Sequence, residues 1–135
     1  MDSEEQTAHD ILATHRTFAV VGASPNASRD SHRVSLFLRS KGYRVIPVNP
    51  GADEVFSERC YPDLASIPEP VDVVDIFRRS ELAGAHVDEA IAIGAKAVWM
   101  QLGVRDEAAA KRARAAGLQV VMNRCPAIDH PRFFR

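Results

Sequence analysis

A chain of 135 residues, 46% hydrophobic and 26% charged, has the make-up of an ordinary globular protein and the length of a single domain, 1–135. Its formal charge of −1 supplies no overall basic field for nucleic acid, and no apolar run approaches the roughly 20 residues of a membrane-spanning helix. The opening MDSEEQTAHD is acidic where a secretory signal would be basic and then apolar, so a cytoplasmic location is expected.

Residues 3 to 15 carry Ala8, Ile11 and Leu12 at helical spacing behind acidic residues, which predicts a short amphipathic helix packed on the outside. Phe18 to Val21 then form a short apolar run closed at once by Gly22, the pattern of a buried strand entering a turn. Small and polar residues follow, and Asp30 or Ser31 could cap a helix that carries Val34, Phe37 and Leu38 and stops at Gly42. Tyr43 to Val48 read as a second strand, with Pro47 at its end or on an unpaired side because proline cannot donate to a ladder. Asn49 to Pro62 is a long loop, and Asp63 to Ile67 has room for one helical turn before Pro68.

Val71 to Phe77 form a third strand rich in β-branched residues, after which Ser80 can cap a helix ending near Gly94. Ala97 to Met100 are a fourth strand, Asp106 opens an alanine-rich helix ending at Gly117, and Gln119 to Met122 are a fifth strand. Regular alternation of strand and helix implies parallel strands joined by right-handed crossovers. The expected fold is α/β: a Rossmann-like three-layer arrangement with an open five-stranded parallel sheet in the order 3-2-1-4-5.

Such sheets bind ligands beyond the carboxyl ends of their strands, where the strand order reverses. The strand, glycine turn and helix start around Gly22, Ala23 and Ser24 can cradle a phosphate between backbone N–H groups and the positive end of the helix, with Arg29 and Ser31 close by. The turn is neither G-x-G-x-x-G nor a Walker A loop, since Ser24 and Ala27 replace the later glycines and no Gly-Lys-Ser/Thr follows. Arg78 and Arg79 stand just before a helix start, where cations are disfavoured unless an anion is shared with the helix amides. The second strand ends in Val48, Asn49 and Pro50, without the carboxylate that holds the ribose in NAD-binding folds. Ser24 lacks a G-x-S-x-G elbow and a base partner, and the five histidines show no H-E-x-x-H spacing, so neither a catalytic residue nor a metal site is indicated. Trp99 reads as packing, His130 as a surface or capping histidine, and Cys60 and Cys125 as two free thiols without CxxC spacing.

The runs VVGAS, GYRVIPVNP, CYPDLASIPEPVDVVDIFR, EAIAIGAKAVWMQLGV and AAGLQVVMNRC together resemble the small stand-alone CoA-binding domain proteins, a family similar to the amino-terminal domain of the succinyl-CoA synthetase alpha subunit. The resemblance covers about residues 17 to 131. It implies that Gly22, Ala23 and Ser24 meet the CoA pyrophosphate, that Val48, Asn49 and Pro50 line the nucleotide end, that Phe77 and Arg78 add a wall and a cation, and that Gln101 and Gly103 close the site. The synthetase transfers phosphate through a histidine of a second domain, which this chain is not expected to contain. The expected function is therefore non-catalytic binding of coenzyme A or an acyl-CoA as carrier, sensor or regulatory partner. An NAD(P)-binding oxidoreductase or redox module is the competing reading, and a mixed disulfide between Cys125 and the CoA thiol is a third. Nucleic acid and membrane are not expected partners, and the sequence does not reveal whether the chain pairs with itself.

Overall fold

A computed structural model describes all residues, 1–135. The elements in chain order are α1 (Ser3–Thr14), β1 (Thr17–Val21), α2 (Asp30–Ser40), β2 (Arg44–Val48), β3 (Glu54–Val55), β4 (Glu58–Arg59), a 3-10 turn (Leu64–Ser66), β5 (Val73–Ile76), α3 (Ser80–Ala92), β6 (Ala97–Met100), α4 (Glu107–Ala115), β7 (Gln119–Val121) and α5 (Pro126–Phe133). Five strands make one parallel sheet and β3 pairs with β4 in a separate antiparallel hairpin.

The sheet strands are apolar because both faces are covered. Alternate residues of β5 point to opposite sides: Val74 and Ile76 meet Ala83, Val87 and Ala90 of α3 and Ala109, Ala110 and Ala113 of α4, while Val73 meets the layer of α1, α2 and α5 through Ile11, Leu38 and Cys125. Burial of Val, Ile and Leu side chains on both faces, at roughly 1.5–3 kcal/mol each, is what selects a central parallel sheet from these runs. Alternation also sends the Asp75 side chain toward the α2 and α5 layer, where it is fully buried and both carboxylate oxygens lack a hydrogen-bond partner. Burial holds that carboxyl well above the usual carboxylate range.

The α/β Rossmann-like class is as expected, but the order along the sheet is β2-β1-β5-β6-β7, which counts as 2-1-3-4-5 over the five strands rather than 3-2-1-4-5. The third strand pairs directly with the first, in register from Phe18 with Val73 to Val21 with Ile76. Pro47 supplies the physical reason. Its carbonyl faces away from β1 and accepts Tyr61 N–H at 3.1 Å, so its missing donor lies on that same outer side, and β2 can only be an edge. Order therefore reverses between β1 and β5, not between the first and fourth strands as expected.

Three local expectations also change. Neither Asp30 nor Ser31 caps α2, and Ser80 does not cap α3; the N-cap residues are Arg29 and Arg79, and neither forms a side-chain cap bond. Ser80 instead accepts Arg105 N–H at 2.9 Å. The tail forms α5, with Pro126 in its first turn, and His130 is not a surface or capping residue: its ring packs edge-on against Phe37 and Tyr43 and tilted against Phe134, with Nδ1 unpartnered. Burial, then repulsion from Lys41, lowers its pKa. The long loop holds the β3–β4 hairpin, whose turn residues Phe56 and Ser57 both have positive φ, as a two-residue primed turn requires.

Candidate functional site

The turn after β1 is built by Gly22. Its φ of +88° is a conformation that suits glycine, and a Cβ there would stand 2.6 Å from the Phe77 carbonyl oxygen. The glycine thus lets the loops after β1 and β5 touch at the point where strand order reverses. The N–H groups of Gly22 and Ala23 are both consumed by the Val48 carbonyl, at 3.0 and 3.3 Å. Asn49 ties the same corner, donating through Nδ2 to the Ala23 carbonyl at 2.7 Å and accepting Gly51 N–H at Oδ1 at 2.8 Å. The free donors lie further along: no acceptor in the chain meets the N–H of Ser24, Ala27, Asp30 or Ser31. Between them the loop is folded on itself, with Ser24 Oγ accepting Asn26 N–H and Asn26 Oδ1 accepting Ser28 N–H.

A cavity of about 780 Å³ opens on this corner. Nine of the residues singled out in the sequence line it: Gly22, Ser24, Arg29 and Ser31 on the α2 side, Val48, Asn49 and Pro50 after β2, and Phe77 and Arg78 after β5. The guanidinium groups of Arg29 and Arg78 have no ion-pair or hydrogen-bond partner in the chain, although acidic side chains neighbour them in sequence. Two cations and an uncapped helix end on one concave surface repel one another, and an anion between them removes that cost.

Four expected residues do not line the cavity. Ala23 is fully buried behind the turn. Arg79 points to solvent and sits 3.9 Å from Glu81. Gln101 and Gly103 follow β6, a full strand beyond the reversal point; Gln101 is buried with Oε1 unpartnered, and the Gly103 N–H is taken by Asn123 Oδ1 at 2.8 Å. Cys125 is buried at the start of α5, away from the cavity. Cys60, also free, donates to the Asn49 carbonyl, and burial pushes its thiol pKa up.

The lining also includes residues that were not singled out: Pro62 and Asp63 beyond the hairpin, and His86 and Glu89 within α3. His86 Nδ1 lies 2.7 Å from Glu89 Oε1. Their spacing of three on a helix marks them as neighbours, but nothing in the sequence directs that face of α3 toward the carboxyl edge of the sheet.

A doubly wound parallel sheet with a glycine turn at its reversal point defines the nucleotide-binding α/β class, in which ligands sit outside the carboxyl ends of the strands. The model of the CoA binding domain family matches residues 16–131, and the chain belongs to that family. YneT of Bacillus subtilis is 36% identical over 121 residues, covering 90% of both chains. The ADP-forming acetate–CoA ligase II of Archaeoglobus fulgidus is 30% identical over 95 residues, 68% of this chain but only 14% of the ligase. A solved structure of a Pyrococcus horikoshii protein superposes with a TM-score of 0.93 at 40% identity, covering 97% of this chain and 92% of the other. No helix is long and apolar enough to cross a membrane.

Proposed function

We propose that this chain binds coenzyme A or an acyl-CoA without transforming it, serving as a carrier, sensor or regulatory partner. The observation that carries the reading is the pairing, on one cavity, of unbonded amides at the start of α2 with two arginines that have no acidic partner. The ligand's diphosphate would accept from the N–H groups of Ser24, Asp30 and Ser31, with Arg29 and Arg78 on either side. Gly22 and Ala23 act behind it, as the bend and its anchor. Val48, Asn49, Pro50 and Phe77 would wall the nucleotide, and Gln101 and Gly103 would lie beyond the cavity, toward any arm that extends past β5.

Chemistry on the ligand is not part of the reading, because the Ser24 hydroxyl accepts the Asn26 N–H and the adjacent His32 Nδ1 bonds the Ser24 carbonyl, 2.8 Å away, rather than the hydroxyl. The ligase relatives are several times longer than this chain, and their reaction is not carried over. A nicotinamide cofactor fits less well: β2 ends in Val48, Asn49 and Pro50, and the Asn49 side chain is occupied by Ala23 and Gly51. Calorimetric titration with CoA, acetyl-CoA, NAD and NADP tests the reading. CoA species should bind and the dinucleotides should not; tight NAD binding with no CoA binding overturns it.

A further inference from the structure

The cavity crosses the sheet edge. At one end are the unbonded amides of α2, which packs on one face of the sheet; at the other are His86 and Glu89 of α3, which packs on the opposite face. A carboxylate can only accept, so the 2.7 Å contact between Glu89 Oε1 and His86 Nδ1 requires the ring proton on Nδ1. With that proton in place a neutral ring presents Nε2 as a lone-pair acceptor, and no group of the chain bonds Nε2. The nearby Asp63 carboxylate is also an acceptor, but its Oδ1 is already shared by the Ser66 N–H and hydroxyl at 2.9 and 2.6 Å. Pro50 and Pro62 also line the cavity, and Phe77, packed with the α1, α2 and α5 layer, walls it from the other face of the sheet. Apolar walls suit a planar ring, and an acceptor held in one tautomer suits a ring that carries a donor.

We propose that His86, oriented by Glu89, selects the base of the bound nucleotide by accepting from an exocyclic amine, and so favours a 6-aminopurine over a 6-oxopurine. The proposal rests on the nucleotide-binding reading given above, and it adds a determinant on α3 to a site otherwise built from loops. His86 touches the base, whereas Glu89 acts through His86 as a positioning residue. With a 6-oxopurine, a carbonyl oxygen would face the Nε2 lone pair and leave both acceptors unpaired.

The test compares binding of CoA with that of its hypoxanthine analogue by calorimetry. The unaltered chain should prefer CoA by about tenfold, the scale of one hydrogen bond exchanged for an acceptor clash. His86→Phe, which keeps a ring against the walls, should bring the two ligands to within about twofold of each other. Glu89→Ala, which frees the tautomer, should narrow the preference while His86 remains. Both positions are on the surface of α3, and unchanged thermal unfolding of each variant confirms an intact fold. Equal binding of the two ligands by the unaltered chain overturns this proposal alone, as does a preference that survives in His86→Phe. Failure of both ligands to bind overturns the nucleotide-binding reading as well.

Discussion

Two turns on the same sheet edge, each leading from a strand to a helix, differ in the residue at the helix cap and in the charges set beside it. After β6 three consecutive loop donors have internal partners, the Gly103 N–H going to Asn123, Val104 to the Gln101 carbonyl and Arg105 to the Ser80 hydroxyl. Asp106 caps α4 by accepting from Ala109 at 3.0 Å, while the N–H groups of Glu107 and Ala108 at the helix start meet no acceptor in the chain. After β1 the N–H groups of Ser24, Asp30 and Ser31 are left over, and the residue at the helix cap is Arg29, which cannot accept. Both helix starts keep free amides, but α4 has a side-chain acceptor at its cap and lies off the cavity, whereas α2 has none and lines the cavity beside Arg29 and Arg78. A helix start is a binding site where the chain withholds its own acceptor, and here that happens beside the reversal of strand order.

The comparison breaks most completely at Gly22. Gly22→Val puts a Cβ 2.6 Å from the Phe77 carbonyl in a left-handed conformation. It should cost about 1–3 kcal/mol of stability and abolish CoA binding, read by thermal unfolding and calorimetry. Arg78→Ala should weaken CoA binding by about 1.5–3 kcal/mol through loss of a charge-assisted phosphate bond. Arg105→Ala, on the turn after β6, should change nothing in the same titration. A smaller effect should come from exchanging the two caps. Arg29→Asp gives α2 an internal acceptor and should raise stability by about 0.5–1 kcal/mol while lowering CoA affinity. Asp106→Ala takes the acceptor from α4 and should cost about 1 kcal/mol of stability with affinity unchanged.

Both turns were visible in the sequence as glycine-bearing breaks after apolar runs, and the alternation of strands with helices gave the parallel sheet. What separates the turns was only half legible. Arg78 and Arg79 just before a helix start were readable as a sign of a shared anion, because single-residue chemistry determines it, yet only Arg78 lines the cavity while Arg79 faces solvent. Which amides remain free was not readable, because the Val48 carbonyl that takes up Gly22 and Ala23 belongs to another strand. Pro47 carried the edge position of β2, yet an order with β2 inside the sheet satisfies the same alternation of elements, and that order drew Gln101 and Gly103 toward the site. The last helix was hidden by Pro131, a residue that ordinarily breaks helices but here falls in the final turn of α5. His86 and Glu89 lay hidden mid-helix, where the search for loop residues after strands does not reach.

The smallest expected effect on binding separates core from cavity. Asp75 lies on β5 between the two turns, buried and unpaired, with its pKa raised by desolvation. A raised folded-state pKa means that the native state holds the proton over a range where the unfolded chain has lost it. The associated stability is present below the unfolded value, near 4, and is lost as pH rises through the folded value. Asp75→Asn should therefore gain stability relative to the unaltered chain as pH is raised from about 5 to 8, in denaturant titrations, with CoA affinity unchanged. A stability difference independent of pH would show that the carboxyl titrates as it does in water.

The account stands most directly on which backbone amides meet the ligand, and an amide-resolved NMR titration with CoA reads them one by one. Ser24, Asp30 and Ser31 should move most, with Gly103, Val104 and Arg105 still. Shifts concentrated at the turn after β6, or none near the start of α2, would contradict it.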